Sequence, residues 1–371
     1  MAAVYAALNQ AGQHVVIYGD RGVGKTSLSR VVQLLVGDQT FIAYYTCSSD
    51  DSFGSIWPHL LDEIEFTVSR PGTGFGAEDK TQVISAKSLL DESVTPDGVR
   101  RALSVLALDR PALLFVDEFD RVRGSDAARL MADTIKILSD HAVDATVVLV
   151  GVGDTIDDLV REHASIGRSI VQVKMPRMTL EESSQIIRAG MEAAEMTVDE
   201  AFVLDVAQLS QGMPHYTHLL GQHGATVALD NGRLEVTAGD VVPAIKSAIS
   251  QVSQTQSRTY HNATFSNRET LHKQVLLACA LADKDDLGFF GAPSVRDQLK
   301  IIARRNVEIP AFASHLKEFS GTDVRGGVLQ KAGARARFRY RFIDPLLPPY
   351  VVMRGRNDGL VGLVGGEIFG G

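Results

Sequence analysis

Cysteine is nearly missing from this chain: Cys47 and Cys279 are the only two in 371 residues, which excludes a disulfide framework. Long apolar runs are missing too. None approaches the roughly 20 residues that cross a bilayer as a helix, so no membrane partner is expected. The start, Met1-Ala-Ala-Val-Tyr5, lacks the basic cluster of a secretory leader. These absences lead us to expect a cytoplasmic protein. Basic residues are scarce in one part only. Residues 1–255 carry 20 Lys and Arg against 34 Asp and Glu, whereas residues 256–371 carry 17 against 11. An acidic front and a basic back suggest two jobs, the second suited to an anionic partner; the plainer reading is ordinary surface variation. Hydrophobic residues are not lacking: at 45% of this length they suffice for two or three domains with real cores.

One stretch organises the rest. Gly19-Asp20-Arg21-Gly22-Val23-Gly24-Lys25-Thr26 fits G-x-x-x-x-G-K-S/T, a loop that cradles phosphates. Its context fits as well as its letters. The apolar run 14–18 before it suits a buried strand. After it, Ser27 opens a run with helical spacing that ends near Gly37. The glycines let backbone N–H groups curl around phosphates, and the helix N-terminus adds partial positive charge. Lys25 would reach the β- and γ-phosphates of a nucleoside triphosphate, and the Thr26 hydroxyl would bind Mg²⁺.

A second segment supports this. Residues 112–116 are apolar and end in Asp117-Glu118. Ligands in parallel α/β sheets bind beyond the C-terminal ends of the strands, where these two acids would sit. Asp117 would hold Mg²⁺, directly or through water, and Glu118 would polarise an attacking water. A further strand, 145–150, leads to Asp154 and Thr155; either could sense the γ-phosphate, or Asp154 simply caps the next helix. With strands also at 40–45 and 169–174 and helices between, the front of the chain is α/β with a parallel, doubly wound sheet. Residues 2–10 are expected to form a short helix. Residues 69–77, rich in glycine, are expected to form a mobile surface loop.

From Thr179 the periodicity is helical only. Thr179 with Glu182, Thr197 with Glu200 and Thr237 with Asp240 match capping boxes. They predict helices near 180–194, 198–210 and 238–250, with another over 214–229, together a small lid. Residues 250–257 are polar, as a linker or the exposed end of a helix is. Helices are then expected at 269–282, 293–305 and 309–320, followed by a hairpin whose second strand is 335–342. Three helices and a hairpin describe a winged helix. In that strand Arg335, Arg337, Arg339 and Arg341 alternate with Ala336, Phe338, Tyr340 and Phe342, which puts four arginines on one face. Such a ladder would suit the phosphates of double-stranded DNA. The tail, 359–371, is glycine-rich and expected to be loose or docked on a partner.

The loop at 19–26 and the pair Asp117-Glu118, followed by a helical lid and a winged helix, resemble the AAA+ superfamily. Tyr44-Tyr45-Thr46-Cys47 is similar to the second-strand segment of its origin-recognition and archaeal replication-initiator branch. The segment from Tyr340 to Val351 resembles the tail of related ATPases, including STAND-like signalling ATPases. The resemblance implies an ATP- and Mg²⁺-dependent switch with slow ATPase activity, its parts being a core (1–177), a lid (178–255), a winged helix (256–358) and a tail (359–371). It implies an oligomer or another protein partner, with Arg168 as a finger acting on a neighbouring subunit, for which Arg161 competes. In the lid, Gly212-Met213-Pro214-His215 places His215 where the family has an arginine, and with Pro214 it would face the nucleotide. Two rivals remain: a STAND-like signalling or phage-defence ATPase whose winged helix contacts protein, and a DNA-binding adaptor that only binds ATP. The intact Glu118 argues against the last.

Overall fold

The structure is a computed structural model that describes the chain except residues 1–3, 5, 8–9, 37–38, 71–79, 124–125, 152–163, 253, 267–270, 286, 322–324, 335–336, 365–366 and 371. The chain divides into two compact units, one of residues 1–20 and 24–176, the other of residues 177–371 with 21–23.

The first unit is built on one sheet. Its strands are β1 (His14–Tyr18), β2 (Phe41–Thr46), β5 (Ala112–Asp117), β6 (Ala145–Gly151) and β7 (Ile170–Lys174), in the order β2-β5-β6-β1-β7 with every pair parallel. The central strands β5 and β6 are buried along their whole length, as apolar runs covered on both faces must be. Alternation divides the core. Val16, Leu114, Val116 and Val147 join one cluster with Trp57, Leu103 and Ile135, whereas Val15, Ile17, Phe115 and Val148 join the other with Val32. Four helices connect or cover the strands: α1 (Lys25–Val36), α2 (Phe53–Asp62), α3 (Pro96–Leu106) and α4 (Ala127–Asp140). The start of α3 shows why it forms where it does. Thr95 caps it, its hydroxyl accepting from Gly98 N–H at 3.1 Å, and Pro96 fills the first turn, where no N–H is needed.

One expectation changes here and another is met by the residues described. The turn-rich stretch is the tip of an antiparallel hairpin, β3 (Glu65–Arg70) with β4 (Lys80–Ser85), so Ser69 and Arg70 are strand residues and 71–77 lie outside the described ones. Of the expected helix at 2–10, the described residues Val4, Ala6 and Ala7 are helical.

The second unit opens with α5 (Leu180–Ala193), α6 (Glu200–Leu209), α7 (Pro214–Asp230) and α8 (Val241–Gln251). The capping box of Thr179 with Glu182 is present, and that of Thr237 with Asp240 opens a 3₁₀ turn ahead of α8. The box of Thr197 with Glu200 is not formed. Thr197 lies in a short strand, β8 (Thr197–Val198), paired in parallel with β9 (Glu235–Val236), and Asp199 caps α6 instead. The polar stretch after residue 250 continues as a helix, α9 (Gln254–Thr264), held by the buried Tyr260, Ala263 and Thr264. Then follow α10 (His272–Leu281), β10 (Phe290–Gly291), α11 (Ala292–Ala303), α12 (Ile309–Phe319), β11 (Leu329–Ala332) and β12 (Arg339–Phe342), with the strands in the antiparallel order β10-β12-β11. β10 was not expected from sequence, and β12 is half the expected strand. The chain ends with α13 (Leu347–Asn357) and a hairpin of β13 (Val361–Val364) with β14 (Glu367–Gly370), where a tail loose or docked on a partner was expected.

Candidate nucleotide site

All five strands of the sheet point the same way, so the loop after β1 and the acids at the tip of β5 come to one edge. The loop is bent by its glycines. Met175 N–H donates to the Tyr18 carbonyl at 2.6 Å, and a Cβ on Gly19 would stand 2.3 Å from the Met175 carbonyl oxygen. Only glycine fits there. Gly24, at φ +98°, turns the chain into α1, whose first hydrogen bonds run from Leu28 N–H to the Gly24 carbonyl at 2.9 Å. The Lys25 ammonium folds back over the loop and donates to the carbonyls of Gly19 and Asp20, both at 2.9 Å. Burial pulls its pKa below the usual lysine range, and the carboxylates of Asp120, Asp117, Asp20 and Glu118 pull it back up. Of the other loop residues, Val23 is buried, whereas Arg21, Gly22, Thr26 and Ser27 are exposed.

Asp117 meets the loop directly. The Thr26 hydroxyl donates to its Oδ2 at 2.7 Å, closing a contact between residues 91 apart in sequence. The Tyr44 hydroxyl donates to the same oxygen, and Glu118 N–H donates to Oδ1 at 2.8 Å. Cys47 N–H pins the main chain of Asp117 at 2.8 Å, while burial pushes the Cys47 thiol up to about 12, so this cysteine is an inert part of the packing. Glu118 sits in the left-handed region at φ 53°, a conformation that costs a non-glycine residue about 1–3 kcal/mol and gathers at functional sites. Its carboxylate is half-exposed and paired with Arg121 at 3.0 Å.

The arrangement can do three things. The loop N–H groups and Lys25 can take a phosphate chain. The Thr26 hydroxyl and the Asp117 carboxylate, already within hydrogen-bond distance, form an oxygen-only donor set suited to Mg²⁺. Glu118, exposed beside them, can accept a proton from water. The residues present therefore fit a nucleoside triphosphate with Mg²⁺. Sequence reasoning missed three residues here: Tyr44, Asp120 and Arg121. A weak signal for Tyr44 existed: it stands in the C-terminal half of β2, close to the end of the sheet where ligands bind, although Tyr45 beside it turns to Asp51 instead.

Other expected site residues lie elsewhere. Arg168 is exposed in a 3₁₀ turn before β7, and its carbonyl accepts from Gln13 Nε2 at 3.0 Å. Because β7 runs parallel to β1 with Ile170 opposite His14, Arg168 is at the sheet edge opposite the phosphate loop. It does not join this subunit's own loop. Asp154, Thr155 and Arg161 lie outside the described residues. Pro214 and His215 form the first turn of α7 in the second unit, with His215 exposed and its ring edge-on to Tyr216.

The arginine ladder is broken. Arg335 lies outside the described residues, and Arg337 precedes β12. Gly333, at φ +94°, turns the chain so that the Arg337 carbonyl comes within 2.6 Å of where its Cβ would be. Only Arg339 and Arg341 share a strand face, Tyr340 and Phe342 being buried on the other. Arg339 pairs with Asp285 at 2.8 Å, Arg341 donates to Gln330 Oε1 at 2.7 Å, and both guanidinium groups lie near the Phe289 ring.

Residues 8–160 match the family model described as an AAA domain. That match spans under half of the chain and makes its front similar to an AAA domain. Comparison with curated proteins finds no sequence match. Among solved structures, the chain is similar to the Aeropyrum pernix ORC2 protein at 15% identity and a TM-score of 0.50, with 97% of this chain and 91% of that one covered. It is similar to a Walker-type ATPase of Pyrococcus abyssi at 16% identity and a TM-score of 0.51, with 95% and 94% covered. At these identities the likeness is one of fold. It runs through both units, so the region beyond residue 160 also has a fold like that of these proteins.

Proposed function

We propose that the chain is a Mg²⁺- and ATP-dependent switch that hydrolyses ATP slowly and couples its nucleotide state to DNA binding or to assembly. The observation that carries this reading is the hydrogen bond from Thr26 to Asp117, which joins the phosphate loop to the carboxylate at the tip of β5. Lys25 turns from the carbonyls of Gly19 and Asp20 to the phosphates. Mg²⁺, when bound, offsets charge on the phosphate oxygens. Thr26 and Asp117 hold it there. Glu118 leaves Arg121, orients a water in line with the γ-phosphate and takes its proton.

The DNA half of the proposal rests on α10 to β12, read as a winged helix. Its support is the order of the elements, the net positive charge of residues 256–371 and the arginines around Phe289. One observation favours a second reading, a signalling ATPase whose winged helix contacts protein: Asp285 already neutralises Arg339. Nucleotide binding and DNA binding test the two halves separately. Lys25→Ala should lose ATP. Wild-type protein should bind duplex DNA at low salt, with or without ATP; if it binds none, the signalling reading replaces the initiator-like one.

A further inference from the structure

The second unit holds a cavity of about 220 Å³. It lies where the start of α5, the end of α6 and the turn after α10 meet. Its polar wall is Arg177, Ser183, Gln208, Gln211 and Lys284, and among the described residues no Asp or Glu lines it.

The Lys284 ammonium donates to the carbonyls of Ala280 at 2.7 Å and Ala282 at 3.1 Å, at the end of α10. An ammonium has three N–H groups, so one is left over. Covering the end of a helix would by itself explain a lysine here, but not a second cation beside it. Arg177 comes from the segment before α5, with its Nη2 3.5 Å from the Pro345 carbonyl. Burial, and after it the nearby Arg177, pull the lysine down to about 8, while Cys279 and Asp283 pull it back up. Asp283 is exposed and does not line the cavity.

Ser183 is the second observation. It is fully buried, and its hydroxyl has no hydrogen-bond partner. The next residue shows the ordinary arrangement, the Ser184 hydroxyl donating to the Leu180 carbonyl at 2.8 Å. A buried hydroxyl left unpaired is costly, and in the wall of a cavity it marks a place where a ligand supplies the partner. Gly212, at φ +71°, brings the end of α6 against the segment before α5, where Met178 N–H donates to its carbonyl at 3.0 Å. A Cβ on Gly212 would stand 2.4 Å from the Met178 carbonyl oxygen, so any other residue would part the two walls.

We propose that this cavity binds one phosphate group, free or at the end of a small ester, through Arg177, Lys284 and Ser183. Cavities that enclose whole drug-sized ligands begin near roughly 300 Å³, so this one suits a small anion. The guanidinium can fork onto two oxygens, the ammonium acts as a point charge, and the hydroxyl donates to a third oxygen. The bound anion offsets the repulsion between the two cations and ties α5 and α6 to the turn after α10. Nothing in this site depends on the nucleotide-switch reading.

The test uses the full chain carrying Lys25→Ala, so that the phosphate loop does not report. Inorganic phosphate and glycerol phosphate are titrated by calorimetry at constant ionic strength, and thermal midpoints are compared with those in chloride. The expected result is one anion per chain and a midpoint that rises with phosphate. Arg177→Gln or Lys284→Gln should weaken binding about tenfold or more, and Arg177→Lys should recover part of the loss. Ser183→Ala should weaken binding about threefold and yet leave the midpoint in chloride equal or higher, because it removes an unpaired hydroxyl. A role in the fold alone would not split these two readouts. Binding of glycerol phosphate but not of free phosphate would assign the site to an ester, and the reverse to the free anion. Binding of neither would overturn the proposal, as would affinities unchanged in the variants. If Lys284→Gln does not fold, Arg177→Gln and Ser183→Ala decide.

Discussion

Glu118 and Lys25 occupy different positions in the same charge balance, and their substitution separates binding from chemistry. Lys25 folds over the phosphate loop, donating to the carbonyls of Gly19 and Asp20, so Lys25→Ala should abolish ATP binding. Glu118→Gln removes only a proton acceptor. It should leave ATP binding within about twofold and reduce turnover by a hundredfold or more, the usual worth of a general base. Equilibrium binding of a labelled ATP analogue and single-turnover hydrolysis read the two effects. A Glu118→Gln protein that hydrolyses ATP like wild type would remove Glu118 from the mechanism. His14 is a residue of another kind. It begins β1, its ring is buried, and its Nδ1 accepts from Val147 N–H at 3.1 Å, which requires the neutral ring. Burial lowers its pKa to about 4. The folded value lies below the unfolded one of about 6.5, so protonation favours unfolding. The stability it contributes is complete above pH 6.5 and is lost as pH falls toward 4, by about 3 kcal/mol at the limit. Denaturant midpoints at pH 7 and pH 4.5 should drop further for wild type than for His14→Asn. Equal drops would assign the acid sensitivity to other groups.

At the scale of elements, the sequence was clearest where burial is complete. β1, β5 and β6 are legible because strands covered on both faces carry nearly unbroken apolar runs. The helices α5, α7, α11 and α12 are legible from caps and prolines at their starts. Legibility fails where tertiary contact overrides local pattern. Gln254–Thr264 is polar enough to pass for a linker, and it is helical because one face buries Tyr260. The hairpin of β3 with β4 was hidden behind its glycine-rich tip. Thr197 fits a capping box, but the pairing of β8 with β9 claims it and leaves the cap to Asp199. The site followed the same division: its two motifs stood in the sequence, while the Tyr44 hydroxyl that joins them depends on the neighbouring strand. The arginine face of β12 is the element with most to test. Changing Arg335, Arg337, Arg339 and Arg341 together to glutamine should weaken DNA binding for all sequences alike and flatten its salt dependence by up to about four units, because phosphate contacts carry no sequence information. Arg339 must leave Asp285 to reach a phosphate, so Arg339→Gln alone should cost less than Arg337→Gln, whose side chain is exposed. Affinities measured from 50 to 200 mM salt decide this; a quadruple variant with an unchanged slope would exclude the ladder from the DNA interface.

For the molecule as a whole, the place of Arg168 in the parallel sheet sets how the proposed assembly is tested. Every strand presents its C-terminal end to the phosphate loop, and Arg168 lies before the start of β7, at the other end of the same strands. A five-residue strand spans on the order of 15 Å, too far for an arginine side chain to reach back to its own nucleotide. An exposed arginine at that edge can stabilise phosphoryl transfer only in a neighbouring subunit whose loop is turned toward it. Arginine fingers are worth about a thousandfold or more in rate, so Arg168→Ala should hydrolyse ATP at a small fraction of the wild-type rate while binding it normally. Glu118→Gln should fail for the complementary reason, since it keeps its finger and lacks its own base. Mixing the two inactive variants creates interfaces in which an intact Glu118 meets an intact Arg168, and some activity should return, rising with total protein concentration. Sedimentation with an ATP analogue should show a species larger than the monomer under the same conditions. Turnover by Arg168→Ala near the wild-type rate would take Arg168 out of the site. A silent mixture that nevertheless sediments as an oligomer would assign the assembly to another surface.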